Sequence, residues 1–124
     1  MEDYNEKQLS IIQVAERLFA EKGFHGTSVR DIAQEADVNI AMISYYFGSK
    51  DKLLEAVFRL RMEASRAFIN ELLQNDTLAP LEKLYSLIDR FINKMLNEQN
   101  FQCIMGREQL NREQSPVRDL IWSL

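Results

Sequence analysis

Two adjacent tyrosines, Tyr45 and Tyr46, stand just before a lone lysine, Lys50, in the stretch VNIAMISYYFGSKDKLL (residues 38–54). Aromatic rings with hydroxyl tips beside an ammonium suit two different tasks. They can pack a helix junction, or they can face an anionic partner. Catalysis has little support. No paired carboxylate, nucleophile elbow, glycine-rich phosphate loop or metal-ligand spacing stands out, so the chain reads as a non-enzyme without cofactor or metal. The only histidine, His25, has no cysteine or carboxylate constellation around it and reads as a loop residue. The only cysteine, Cys103, excludes an internal disulfide and any multi-cysteine metal site. Nothing marks it as a low-pKa thiol.

The elements that must position these residues are helical. Leu9, Ile12, Ala15, Leu18 and Phe19 recur at helical spacing, and Gly23 follows Lys22 where a helix C-terminal glycine belongs, which places a first helix at about 6–22. Ser28 is a good N-cap, with Asp31 imitating a capping box, for a short second helix over about 29–36. Asp37 takes a left-handed conformation more readily than most residues and breaks that helix. Asn39 caps a third short helix, about 40–47, ended by Gly48. Ser49 opens a long fourth helix running to about residue 74. A fifth is expected at about 78–97, with Pro80 in its first turn. After a break at NEQN comes a sixth, FQCIMGREQL, and Ser115-Pro116 start a seventh. No strand pattern competes, so the fold class is all-α.

The chain has 124 residues, 46% hydrophobic and 27% charged, and no apolar run approaches a membrane span. The acidic, polar N-terminus is no signal peptide, and a cytoplasmic protein is the simplest reading. Net charge is −4, and the first 52 residues hold six Lys/Arg against nine Asp/Glu. Any contact with nucleic-acid phosphate is therefore local. Three short helices, the second and third joined by a tight turn, form a helix-turn-helix arrangement whose second member suits a DNA major groove. Many helical bundles also carry short helices.

The residues are more specific than the spacing. GFHGTSVRDIAQEADVNIAMISYYFGSKDKLLEAVF resembles the N-terminal domain of the TetR family of bacterial transcriptional regulators, through Gly23-Phe24, Thr27-Ser28, Ile32-Ala33, Ala36, Val38, Ile43, Tyr46-Phe47, Ser49-Lys50 and Leu53-Leu54. The likeness covers roughly residues 9–58. It implies a helix-turn-helix DNA-binding domain over 1–48. A helical effector-binding and dimerisation region over 49–124 follows, incomplete at its C-terminus because family members are usually longer. It also implies site residues. Thr27, Ser28 and Lys50 match phosphate contacts, and Arg30 reaches phosphate or a base edge. Asn39, Ile40, Ala41, Met42 and Tyr45 occupy base-reading positions, and Tyr46 matches an aromatic residue at the DNA backbone. Three positions depart from the pattern. Ser44 stands where the family often has an aromatic residue, Ile40 and Met42 where polar readers are common, and Asp37 where glycine is common in the turn.

The implied function is a ligand-responsive repressor that binds a pseudo-palindromic operator as a homodimer. Candidates to line a small-molecule effector pocket are Phe58, Met62, Phe68, Tyr85, Ile88, Phe91, Met95, Cys103, Met105 and Trp122, although an apolar stripe at helical spacing is more often core. The alternative is a helical module that binds a protein or a lipophilic ligand without DNA, which the acidic charge favours.

Overall fold

The computed structural model describes residues 3–111 and 115–123. It holds seven helices among them: α1 (Glu6–Lys22), α2 (Val29–Glu35), α3 (Ile40–Phe47), α4 (Lys50–Gln74), α5 (Pro80–Asn97), α6 (Gln99–Leu110) and α7 (Arg118–Trp122). No strand occurs among the described residues.

Capping residues set the starts of the first four helices. At α1, Asn5 Oδ1 accepts from the Gln8 amide at 2.9 Å, and Gln8 Oε1 accepts from the Asn5 amide at 2.9 Å. Ser28 and Asp31 form the expected reciprocal box at α2, with bonds of 3.0 and 3.1 Å. Asn39 and Ser49 accept from the amides of Met42 and Lys52. Each such cap contributes about 1 kcal/mol. Asp37, at φ 54°, makes the left-handed turn between α2 and α3. The α4–α5 turn delays α5 to Pro80. The expected break at NEQN shrinks to Glu98, which ends α5 and caps α6. The seventh helix begins later than expected, at Arg118.

One buried cluster runs across the Gly48–Ser49 junction. Ile11, Ile12, Ala15, Leu18 and Phe19 of α1 meet Ile32 and Ala33 of α2, Ile43 of α3 and Leu53, Leu54, Val57 and Phe58 of α4. Phe101 and Ile104 of α6 and Val117 complete it. Phe58 packs edge-to-face on Phe101, with ring centroids 5.2 Å apart. Arg107 of α6 donates to the carbonyls of Phe19 and Ala20 at 3.0 and 2.9 Å, so a cation covers the negative end of α1. These contacts fasten the first three helices to α4 and α6. None of the residues of α5 is buried, and its apolar residues, Leu81, Tyr85, Phe91 and Leu96 among them, are well exposed.

Candidate nucleic-acid interface and effector groove

The outward face of α3 follows from its helical phase. Ile43 is buried, and Met42, Tyr46 and Phe47 are half-buried, while Ile40, Ala41, Ser44 and Tyr45 are exposed. Tyr45 stands 85% exposed, which places its ring in solvent rather than in the core. Tyr46 packs beside it, ring centroids 5.5 Å apart, and also meets Phe47 at 6.3 Å. Phe47 is anchored from behind by Tyr4. The two tyrosines therefore divide as their positions on the helix require, one outward and one partly packed.

Five of the expected base-reading positions lie at or near this face: Asn39, Ile40, Ala41 and Tyr45 are exposed, and Met42 sits at its edge. Asn39 spends its carbonyl oxygen on the cap of α3, which leaves its amide donors outward. Ser44 shares the exposed strip with Ile40, one helical turn away, and adds a hydroxyl able to bond a base edge. In the sequence Ser44 stands out only as a departure from the family pattern. Its spacing from Ile40 is the signal that identifies it.

The expected phosphate contacts differ in their surroundings. Ser28 and Arg30 are exposed at the start of α2, as expected. Thr27 is only 1% exposed, and its hydroxyl donates inward, shared between the carbonyls of Gly23 at 2.8 Å and Leu18 at 3.1 Å. It ties the α1–α2 loop to the end of α1 and presents nothing to an anion. Lys50 is also engaged by the protein. Its Nζ donates to the Phe24 and Thr27 carbonyls at 2.8 and 3.1 Å and lies 4.2 Å from the Phe24 ring centroid. Lys50 thereby links the start of α4 to the α1–α2 loop, with two of its three ammonium donors on these carbonyls. Gly26 is required in that loop, since a Cβ there would meet the Lys22 carbonyl oxygen at 2.3 Å.

A polar chain joins α1 to the middle of the bundle. Glu16, 8% exposed, takes a two-pronged bond from Arg61, Nε to Oε2 at 2.8 Å and Nη2 to Oε1 at 2.6 Å. That bond holds the Arg61 guanidinium above its ordinary pKa against the opposing effect of burial. Arg61 also lies 3.5 Å from Glu98, and Lys94 lies 3.6 Å from the other Glu98 oxygen. Lys94 further donates to the Ser65 hydroxyl.

Arg61, Ser65 and Lys94 border a groove of about 600 Å³ between α4, α5 and α6. Met62, Phe68, Phe91 and Met105 line it as expected. The remaining pocket candidates do not. Phe58 is fully buried behind Phe101. Tyr85, Ile88 and Met95 fall on another side of α5, because the groove takes the Leu87, Arg90, Phe91 and Lys94 face. Cys103 is exposed and outside the lining, as is Trp122 on α7.

Residues 11–57 match the sequence model described as "Bacterial regulatory proteins, tetR family". Residues 11–57 are thus similar to the helix-turn-helix domain of TetR-family regulators. The curated relative "Probable HTH-type transcriptional regulator YttP" of Bacillus subtilis (strain 168) is 37% identical over 99 residues, 79% of this chain and 48% of the relative. The HTH-type transcriptional repressor Rv3405c of Mycobacterium tuberculosis (strain ATCC 25618 / H37Rv) is 48% identical over 48 residues, 39% of this chain and 26% of the relative. The crystal structure of HlyIIR, a hemolysin II transcriptional regulator, superposes with TM-score 0.70 at 27% identity, over 92% of this chain and 62% of that one. A TetR-like transcriptional regulator from Rhodococcus sp. RHA1 shares the fold, with TM-score 0.78 at 22% identity, over 99% of this chain and 66% of that one. The chain spans about half the length of YttP and a smaller share of Rv3405c. No helix among its described residues is long and apolar enough to cross a membrane.

Proposed function

We propose that this chain binds operator DNA through α3 and releases it when a small molecule occupies the groove between α4, α5 and α6. The exposed strip of Ile40, Ala41, Ser44 and Tyr45, held from behind by buried Ile43, carries the proposal. Asn39 and Ser44 supply hydrogen-bonding groups to base edges, and Ile40 and Ala41 suit a thymine methyl. Ser28, Arg30 and the Tyr46 hydroxyl supply phosphate contacts beside the strip. As a homodimer, two such heads would read half-sites about one DNA turn, roughly 34–36 Å, apart. The protein acts as a cytoplasmic repressor rather than an enzyme and needs no cofactor.

The switch rests on the Glu16–Arg61–Glu98 chain. A ligand touching Arg61 acts on a group bonded directly to α1, and one touching Lys94 acts through Glu98 and Arg61, so either acts on the pose of the reading head. Such a ligand releases DNA only by binding the DNA-free arrangement more tightly.

Selection of bound sequences from random duplexes, followed by gel shift at low and moderate salt, tests the proposal. Enrichment of a sequence with related half-sites is expected. Binding that shows no sequence preference and vanishes at moderate salt would leave the alternative, a helical ligand- or protein-binding module without DNA, which the net charge of −4 favours.

A further inference from the structure

The groove between α4, α5 and α6 is charged in an unbalanced way. Four cations line it, Arg61, Arg66, Arg90 and Lys94, and no carboxylate does. Arg61 is held by Glu16 and Glu98, and among the described residues Lys94 has Glu98 as its only carboxylate neighbour. Four positive groups against these two carboxylates leave the groove two charges positive, in a chain whose net charge is −4. The surplus resides on two arginines. Among the described residues Arg66 makes no hydrogen bond or ion pair. Arg90 donates only to the Ala64 carbonyl, at 3.3 Å, and stacks over the Phe68 ring at 4.3 Å.

The rest of the lining is mostly apolar, with Met62, Phe68, Phe91, Phe101 and Met105 in it, and its uncharged polar members are Ser65, Asn70 and Gln102. Two methionines among aromatic rings make a wall that adapts to a flexible chain or a flat ring. A volume of about 600 Å³ lies within the range of small-molecule sites. A cation without a carboxylate partner beside an apolar trough favours a ligand with an anionic head and an apolar body. A neutral apolar ligand would leave the arginines unpaired, and a cationic one would meet like charge.

We infer that the groove binds an amphipathic organic anion, its head on Arg66 and Arg90 and its apolar body on Met62, Phe91 and Met105. The inference rests on the effector-groove reading above and adds the class of ligand. Planar guanidinium groups match the two oxygens of a carboxylate, and the Phe68 ring already holds one of them in place.

Calorimetric titration of the 124-residue chain with sodium decanoate, decanol and decyltrimethylammonium tests it, using all probes below their micellar concentrations. Decanoate should bind at least about tenfold more tightly than decanol, and the cation should bind least. The decanoate affinity should fall as salt rises. The R66Q/R90Q variant should lose the preference for decanoate over decanol while keeping its helical circular dichroism, and R66K/R90K should regain part of it. Equal binding of decanoate and decanol would overturn the ligand class and leave the groove as a generic apolar site. No binding of any probe would overturn both the class and the effector-groove reading. Charge-selective binding that leaves the gel shift on selected DNA unchanged would uphold the class and refute the regulatory link.

Discussion

Replacing Lys50 by methionine separates a latch from a phosphate contact. Methionine keeps most of the apolar stem and removes the ammonium. The loss is two bonds from a charged donor, to the carbonyls of Phe24 and Thr27, and the contact over the Phe24 ring. A net bond to a charged group contributes about 1.5–3 kcal/mol and an exposed cation–π contact about 0.5–1 kcal/mol. Lys50 is half-buried, so water replaces part of what is lost. The expected destabilisation is about 2–3 kcal/mol, or on the order of 10 °C in melting temperature for a domain of this size. Urea unfolding followed by circular dichroism reads it directly. The second readout is the salt dependence of DNA binding. Removing a phosphate contact makes the slope of log K against log salt shallower by about 0.9. A latch acts on the pose of α2 and α3, so Lys50→Met should weaken binding and leave the slope intact. A variant as stable as the parent, with a slope shallower by about one, would refute the latch and support the phosphate role.

Three further outcomes follow from the same geometry. Glu16→Ala removes the two-pronged bond and leaves the half-buried Arg61 with Glu98 at 3.5 Å, and it should cost about 1.5–3 kcal/mol in urea unfolding. The Asp31 carboxyl is held below its usual value by the backbone and side-chain bonds to Ser28. Its folded pKa is depressed, so its stabilising contribution is present above the unfolded value of 3.8 and disappears as pH falls through the lower folded one. Acid unfolding of Ser28→Ala should therefore depend less on pH below 3.8 than that of the parent. Thr27→Val keeps shape but leaves the inward carbonyls without their donor. It should destabilise by about 1–2 kcal/mol and leave the salt slope of DNA binding unaltered.

Local signals were the readable part of this chain. The ends of α1 and α3 follow from residues within a few positions of each boundary: Gly23 at the end of α1, Asn39 and Gly48 at the two ends of α3. Asp37 adopts φ 54° for the same local reason. Tyr45 and Ile43 differ in burial because two positions along a helix turn a side chain by most of the way to the opposite face. The site residues whose surroundings the sequence does not disclose are those with partners elsewhere in the fold. Thr27 and Ser28 are adjacent hydroxyls, and which one turns inward is decided by how the α1–α2 loop folds back on Leu18. Lys50 bonds carbonyls more than twenty residues away. The groove depends on the rotational phase of three helices at once, so an apolar inventory found Met62 and Phe91 but not the cations between them.

The central claim is that α3 carries the DNA-reading face, and Tyr45 tests it most directly because it is 85% exposed and lies outside the core, in ring contact with Tyr46. The measurement is the affinity of Tyr45→Ala for the selected duplex, by fluorescence anisotropy, alongside its unfolding midpoint. The expected result is stability within about 0.5 kcal/mol of the parent and an affinity at least about fivefold lower. Unchanged affinity for the selected duplex, with the fold intact, would contradict the assignment of this face to DNA.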